Sequence, residues 1–223
     1  MYLYETHLHT APVSKCAKSS VRDTVAFYKN AGYAGIFITN HFLDGNINID
    51  SSLPYEERIR FYFSDYEEGV RIGKELGIPV FCGIEMSYKG TDFLIYGLTK
   101  EWYLAHPEIE SMEKSTLLTL LDQEGALIIQ AHPFREAHYI DHIRLYPRHV
   151  HGIEIYNAER TELENAMAKH YANSYSLLSF AGSDNHVAGN AQHFGGMQAE
   201  SPILDELDFV TRVKNGELVP FRR

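Results

Sequence analysis

Imidazole and carboxylate side chains recur in five short motifs along the chain. In order, the motifs are His7-Leu8-His9, Asn40-His41, Gly83-Ile84-Glu85, Ala131-His132-Pro133 and Ser183-Asp184-Asn185-His186. A mixed set of nitrogen and oxygen donors suits Zn, Mn or Fe. Because alternate side chains of a strand point to one face, both imidazoles of a His-X-His sequence can reach the same ion. The motifs therefore predict a metal site.

The predicted ligands are too numerous for one tetrahedral ion. They are His7, His9, His41, Glu85, His132, Asp184 and His186. At least two divalent ions would use this many donors, with a carboxylate bridging, and paired ions usually hydrolyse a phosphoester or an amide. Each residue alone has a simpler interpretation as a hydrogen-bonded structural residue or, for Asp184, a turn or helix cap. Their convergence on one site favours metal, since burying so many polar groups without a cation is costly.

Cationic residues near these motifs are candidates for binding a phosphate group. Arg135 follows the fourth motif, and a guanidinium matches two phosphate oxygens. Lys15 and Lys18 follow the first motif. An exposed surface position is the alternative for all three, and it is favoured for the two lysines. Cys16 is interpreted as an ordinary loop or buried cysteine in preference to a ligand. Residues 136–150 are predicted to form either a lid over the site or a surface helix.

Apolar runs of strand length accompany the motifs. They are Tyr2–His7, Gly35–Thr39, Pro79–Gly83, Phe93–Gly97, Ala126–Gln130, Gly152–Tyr156 and Leu178–Gly182. Helix signals separate most of these runs. A capping box begins at Ser20, and Gly32 follows that helix. An apolar stripe at helical spacing covers residues 55–77, and Ser201-Pro202 is expected to begin the last helix.

Alternating strands and helices predict an α/β protein with a parallel sheet. In 223 residues the pattern favours a closed or nearly closed, TIM-like (β/α)7 barrel, with residues 1–223 as a single domain. An open doubly wound sheet is the alternative. In either fold, ligands bind where the carboxyl ends of the strands meet, and the motifs lie at these ends. Glu154 lies within the sixth run and is either a paired buried carboxylate or a functional residue.

Composition restricts the partners. The formal net charge of −10 argues against binding a nucleic-acid duplex, which normally requires a basic face. Apolar runs stay far below the roughly 20 residues that span a bilayer, and the N-terminus does not resemble a signal peptide. The two cysteines make no disulfide framework. We therefore expect a cytoplasmic protein that does not bind a membrane. Bound metal ions would offset part of the negative charge, so a small anionic substrate is compatible with this composition. No pattern indicates the protein's oligomeric state.

The five motifs, in this order and spacing, resemble those of the PHP (polymerase and histidinol phosphatase) family over nearly the whole chain. The resemblance implies a distorted seven-stranded barrel with a phosphoesterase site of two or three metals. By motif, it assigns one ion to His7, His9, Glu85 and Asp184. It assigns a second ion to His41 and His186. A third would use Glu85 and His132, with Glu85 bridging.

Three positions depart from the family pattern. The second motif reads Asn40-His41 where Asp-His is usual. A further ligand often follows the first motif, and this chain offers Lys15, Cys16 and Lys18 there. Many members have a histidine in the fourth strand, whereas Phe93–Gly97 has none. Asp92 and His106 are the nearby substitutes for a ligand of the third ion.

These observations favour a metal-dependent phosphoesterase. It would hydrolyse a small phosphate monoester, of a sugar, nucleotide or histidinol-phosphate type, with a metal-activated hydroxide as nucleophile. Glu85 and Arg135 would be its main catalytic residues. One alternative is a metallohydrolase of amidohydrolase type, although such enzymes commonly use a carboxylated lysine and no predicted strand ends in one. A second alternative is a barrel that binds metal without catalysis.

Overall fold

The computed structural model describes residues 1–189 and 192–223, in which nine strands form one sheet. The strands are β1 (Tyr2–Glu5), β2 (Gly35–Ile38), β3 (Val80–Tyr88), β4 (Thr91–Tyr96), β5 (Leu127–Ala131), β6 (Gly152–Asn157), β7 (Leu178–Gly182), β8 (Gly195–Ala199) and β9 (Val219–Arg222). Their order across the sheet is β7-β6-β5-β4-β3-β2-β1-β8-β9. The first seven strands thus lie side by side in sequence order, as in a barrel wall.

Helices connect most of these strands. The α-helices are α1 (Val21–Asn30), α2 (Tyr55–Tyr62), α3 (Ser64–Leu76), α4 (Lys100–Ala105), α5 (Lys114–Gln123), α6 (Glu162–Tyr175) and α7 (Glu206–Lys214), with a short 3-10 helix at Pro107–Ser111. The Ser20 hydroxyl accepts a hydrogen bond from the N–H of Asp23 and caps α1, as the sequence predicts. The Thr161–Glu164 capping box begins α6.

The sheet closes on itself where the chain leaves β1 and β7. Leu8 forms a parallel bridge with Asn185. The Thr6 hydroxyl donates to the carbonyl of Ala181 at 2.5 Å, and the N–H of Asp184 donates to the carbonyl of His7 at 2.7 Å. These contacts make the sheet a nearly closed barrel. The predicted TIM-like barrel is confirmed, and the alternative of an open sheet is wrong.

The fourth strand runs opposite to the direction predicted for it. β4 pairs antiparallel with both β3 and β5, whereas the pairs β1–β2, β2–β3, β5–β6 and β6–β7 are parallel. The reason is a two-residue turn at Lys89 and Gly90, with φ of 50° and 82°, because two positive φ values suit a tight hairpin and leave no room for a helical crossover. The reversal brings the start of β4, and so Asp92, to the end of the barrel where the other strands finish.

The other differences lie at the end of the chain and on the outer face. β8 and β9, which the sequence analysis did not predict, extend the sheet beyond β1 as antiparallel strands. The last helix begins at Glu206 and not at Ser201, because Asp205 provides its side-chain cap. The predicted helix over residues 55–77 is divided into α2 and α3 at Phe63. Residues 136–150 form neither helix nor strand, so the expectation of a surface helix there is wrong.

Aromatic packing fills the barrel end opposite the motifs. The ring of Phe209 on α7 lies 4.2 Å from that of Phe37 and 5.3 Å from that of Tyr96, measured between centroids. All three side chains are fully buried. The apolar plug leaves the other barrel end for polar side chains. Along residues 1–189 and 192–223, no helix has the length and apolar character needed to cross a bilayer.

Candidate metal centre

The seven residues predicted as ligands converge at the motif end of the barrel. Five of them are buried, and His41 and His186 are partly exposed. Their donor atoms form three overlapping groups in which all atoms lie within 4.8 Å of one another. The groups are His9, His41 and His186; His7, Glu85 and His132; and His7, His9 and Asp184. The structure therefore brings together every residue that the sequence proposed as a ligand.

Glu85 occupies the centre of this cluster. Its Oε1 lies 3.2 Å from Nε2 of His7 and 3.2 Å from Nε2 of His132. Its Oε2 lies 3.4 Å from Nε2 of His9 and 2.6 Å from Nδ1 of His41. The two oxygens thus face different imidazole pairs, which is the arrangement that a bridging carboxylate requires.

Asp184 supplies a second carboxylate beside the first motif. Its Oδ1 lies 3.3 Å from Nε2 of His9 and 3.5 Å from Nε2 of His7. Its Oδ2 accepts a hydrogen bond from Nδ2 of Asn157 at 3.2 Å. Asn157 is fully buried and orients this carboxylate.

Several polar atoms of the cluster are buried without a hydrogen-bond partner among the described residues. They are Nε2 of His7, Nε2 of His9, Nδ1 of His41 and Oε2 of Glu85. Buried polar atoms are nearly always paired, and those left over require an explanation. Lone pairs that converge on a common point fit the coordination of a cation, so the residues present suit divalent metal ions.

Electrostatics prepare the cluster for positive charge. Burial opposes ionisation of Glu85, yet His41 and His7 hold the pKa of this carboxyl well below its usual range. Burial also opposes ionisation of Asp184, and His7 and His9 lower its pKa in the same way. Burial and the nearby His186 and His41 lower the pKa of His9 to about 3. Ionised carboxylates and a neutral imidazole are the forms that bind metal.

Two of these residues hold unusual backbone conformations. His132 and Asp184, which directly follow β5 or lie two residues after β7, have φ values of 25° and 55°. Left-handed φ is uncommon for residues other than glycine, and such strain concentrates at functional sites. Gly182 at the end of β7 leaves no room for a side chain, because a Cβ there would collide with the Cβ of His7. The local backbone is thus shaped around the first motif.

Glu154 contacts His7 and His132 and so orients these two residues of the cluster. Its Oε1 lies 2.8 Å from Nδ1 of His7, and its Oε2 accepts hydrogen bonds from the N–H of His132 at 3.0 Å and Nδ2 of Asn157 at 2.9 Å. The paired carboxylate was one of two interpretations of the sequence, and the structure shows that its partner belongs to the site. Only the position of a charge inside an apolar strand could have indicated this.

Asn40 organises the loop that follows β1. Its Oδ1 accepts hydrogen bonds from the N–H of Thr10 at 2.7 Å and the hydroxyl of Ser14 at 2.9 Å. Its Nδ2 donates to Oδ2 of Asp65 at 3.0 Å, and Asp65 is buried. An aspartate at position 40 could not donate this bond and would repel Asp65. The departure from the usual Asp-His motif therefore fits its surroundings.

Arg135 stands at the cavity that opens beside the cluster. Nη2 of Arg135 lies 2.9 Å from Oδ2 of Asp92, and its guanidinium lies 5.8 Å from the ring centre of Tyr139. The cavity has a volume of about 510 Å³ and is lined by Cys16, His41, Asp44, Asn46, Ser87, Lys89, Gly90, Asp92, Arg135, Tyr139 and His186. Tyr139 places part of segment 136–150 at the cavity wall, where the sequence analysis suggested a lid.

Three residues considered from the sequence lie elsewhere. Lys15 and Lys18 are exposed and are not among the residues that line this cavity. His106 ends α4, where its ring stacks on Trp102 with centroids 4.2 Å apart and its Nδ1 lies 2.7 Å from the Trp102 carbonyl. Asp92 is therefore the better substitute ligand near Glu85 and His132, since its Oδ2 lies 3.9 Å from Nε2 of His132.

Solved structures share this architecture, although no protein-family model and no curated protein matches the sequence. One is a two-domain protein of Bacteroides vulgatus ATCC 8482, for which a PHP-like metal-dependent phosphoesterase is predicted. It matches with a TM-score of 0.67 and 15% identity over 99% of this chain and 64% of its own length. This chain thus spans less than two thirds of that protein. The two proteins share this barrel fold.

Two further structures share this barrel fold at similarly low identity. A protein assigned as a metal-dependent phosphoesterase from Bifidobacterium adolescentis ATCC 15703 has a TM-score of 0.58 and 12% identity, over 84% of this chain and 88% of that one. An amidohydrolase from Chromobacterium violaceum, with bound sulfate and no metal, has a TM-score of 0.53 and 12% identity, over 97% of each chain. At identities this low, the structural matches show a shared fold only. The reaction has to be inferred from the residues of the site.

Cys16 lies at the cavity beside the candidate metal centre, a position that the sequence analysis did not predict. The sequence analysis favoured an ordinary cysteine, but Cys16 lines the cavity together with His41 and His186. Burial acts to raise the pKa of its thiol, yet interactions with His186 and His41 outweigh burial and lower the pKa to about 6. Cys82, by contrast, lies in the apolar core beside Tyr62, and burial raises the pKa of its thiol.

Proposed function

We propose that this chain is a metal-dependent phosphoesterase that hydrolyses a small phosphate monoester. The observation that carries the proposal is the position of Glu85, whose two oxygens face separate imidazole pairs. The buried ring nitrogens around it lack hydrogen-bond partners among the residues that the structure describes. That arrangement suits two or three divalent ions of the Zn, Mn or Fe type.

The ligands would divide along the geometric groups. His7, His9, Glu85 and Asp184 would hold one ion, and His41 and His186 would share a second with donors nearby. Glu85 and His132 would contribute to a third. When bound, such ions lower the pKa of water and neutralise charge on a phosphoryl group.

The protein's own residues would bind and orient the phosphate. Asp92 holds the Arg135 guanidinium at the cavity wall and, against the effect of burial, raises its pKa, so Arg135 stays cationic. A guanidinium in this position would bind phosphate oxygens and stabilise the charge that develops on them. Arg135 is thus the proposed phosphate-binding residue, while the exposed Lys15 and Lys18 would at most contribute at the rim.

The cavity limits the size of the substrate. About 510 Å³ falls within the range of pockets that hold small metabolites and is too small for a folded partner. The net charge of −10 argues against a nucleic-acid duplex as the partner. Together with the cavity size, this supports a small phosphorylated compound. We extend the proposal to a single catalytic domain over residues 1–223 and to a cytoplasmic location.

An amidohydrolase reaction is the second candidate, because a structure with that assignment shares the fold. The deciding experiment is an assay of the purified protein, loaded in turn with Mn, Fe(II) and Zn, against matched panels of phosphate monoesters, phosphodiesters and amides. We expect phosphate release from monoesters and none from the Glu85→Gln variant. Cleavage of amides alone would establish the second candidate. Full metal content without turnover on any panel would indicate a barrel that binds metal without catalysis.

A further inference from the structure

Hydrogen bonds at both ends of the loop that follows the first motif hold it against His41 and His186. On one side, the Ser14 hydroxyl accepts a hydrogen bond from the N–H of His41 at 3.0 Å and lies 3.1 Å from Nδ1 of His9. On the other side, the N–H of Lys18 donates to the carbonyl of His186 at 2.9 Å. Cys16 lies midway between these two anchors, so the backbone holds it beside both imidazoles.

The thiol faces the cavity and not the core. Cys16 is partly exposed and shares the cavity wall with His41 and His186, whereas Cys82 is 8% exposed within an apolar cluster. A cysteine that serves only to fill space is normally found in the second kind of environment. The position of Cys16 therefore calls for a polar explanation.

An independent observation shows that this group of side chains is prepared for a ligand. The His9 side chain is fully buried, and its Nε2 has no hydrogen-bond partner within residues 1–189 and 192–223. His9, His41 and His186 bring one donor atom each to within 4.8 Å of one another. Because His9 is assigned to the neighbouring ion, His41 and His186 alone would leave their own ion short of donors and without negative charge.

We propose that the Cys16 thiolate is a ligand of the metal ion held by His41 and His186. On binding, the S–H bond breaks, a sulfur–metal bond forms, and the proton leaves to solvent. This inference rests on the metal centre proposed above and adds to it a sulfur donor at one ion.

A thiolate donor has a consequence for the choice of metal. Soft sulfur ligands favour Zn(II), Co(II) and Cd(II) over the harder Mn(II) and Mg(II), which prefer oxygen. The His41–His186 ion would therefore differ in preference from the ions bound to Glu85 and Asp184, and Mn(II) would be the poorest occupant of this position.

Cobalt substitution tests the assignment directly. Metal-stripped protein is reloaded with Co(II), its metal content is measured, and its near-ultraviolet spectrum is recorded for thiolate-to-cobalt charge transfer. We expect the band in the wild-type protein and in Cys82→Ala, and its loss in Cys16→Ser. Cobalt affinity at this position should fall about 10–100-fold or more in Cys16→Ser, since even groups that only orient ligands contribute that much.

A second measurement needs no variant. Cys16 is partly exposed, so iodoacetamide should alkylate it in metal-stripped protein, and Zn(II) should slow the reaction at least tenfold if sulfur is coordinated. Full cobalt content without a charge-transfer band, or equal alkylation with and without Zn(II), overturns the sulfur ligand and leaves the phosphoesterase proposal standing. Failure of the wild-type protein to bind cobalt at all overturns the metal centre itself and, with it, this inference.

Discussion

Oε1 of Glu154 lies 2.8 Å from Nδ1 of His7, and both side chains are fully buried. This contact fixes the ring so that Nε2 of His7 points to Glu85, 3.2 Å away. A carboxylate behind a metal-binding imidazole orients the ring and makes it a stronger donor. Glu154 is therefore a positioning residue, whereas Glu85 faces the centre of the cluster with both oxygens.

The two carboxylates should respond differently to loss of charge. We expect Glu85→Gln to fold, to lose at least one metal ion and to lose nearly all hydrolysis, because an amide bridges two ions poorly. Glu154→Gln should weaken metal affinity by about 10–100-fold and recover activity when metal is added in excess. Circular dichroism, elemental analysis and rates across a metal titration distinguish the two. If Glu154→Gln is the variant that excess metal cannot rescue, the bridge has been assigned to the wrong residue.

The sequence predicts the barrel and the ligand set because both depend on local patterns. Apolar runs alternating with helix signals are enough to indicate parallel strands, and each motif lies where its strand ends. The structure confirms the barrel and brings His7 and Asp184 together across 177 positions of the chain. That these residues bind metal stays a prediction.

The remaining features depend on contacts that no local pattern records. The apolar run of β4 has the same appearance in either direction, and Lys89-Gly90 is a weak hairpin signal, so the reversal that places Asp92 beside Arg135 was missed. The partner of Glu154 lies 147 positions away. Cys16 could be distinguished from an ordinary loop cysteine only when His41 and His186 were seen beside it.

Arg135 provides the second prediction. Arg135→Ala should lower kcat/KM for the best phosphate monoester by roughly 10–1000-fold without changing metal content, because charge-assisted bonds to the phosphoryl oxygens are lost. Asp92→Asn should give a smaller loss in the same direction, since it weakens the 2.9 Å contact that holds the guanidinium but leaves Arg135 in place. Steady-state kinetics with elemental analysis measure both. An unchanged rate in Arg135→Ala would place this residue outside the substrate site.

Metal removal should destabilise the protein. A ligand that binds only the folded state stabilises it by about 4 kcal/mol at 1,000 times its Kd, so chelation should lower the Tm and added Zn(II) should restore it. His9→Ala should remove most of this metal-dependent Tm shift. The exposed His170→Ala on α6 should retain it and serves as the control. Differential scanning fluorimetry with and without chelator is sufficient. Equal shifts in the two variants would show that the metal binds elsewhere.

Glu5 is a buried carboxyl beside the first motif. It accepts hydrogen bonds from backbone N–H groups and does not line the cavity. Its Oε1 accepts hydrogen bonds from the N–H groups of Thr6 at 3.0 Å, His7 at 2.9 Å and Ser183 at 2.9 Å, while its Oε2 has no partner among the described residues. Burial raises the pKa of Glu5 from 4.5 to about 7. The folded state therefore holds this proton more tightly than the unfolded state.

The raised pKa of Glu5 determines the sign of its pH dependence. The stabilisation it provides is fully present below about pH 4.5 and is lost as pH rises through about 7. Glu5→Gln cannot ionise and should not lose stability in this way. The difference in free energy of unfolding, variant minus wild type, should therefore rise by on the order of 1–3 kcal/mol between pH 5 and pH 8. Urea unfolding of both proteins at each pH, with the same Zn(II) concentration, measures the difference. The exposed Glu200→Gln controls for the change in net charge. A difference that stays constant with pH would mean that Glu5 is ionised in the folded protein throughout this range.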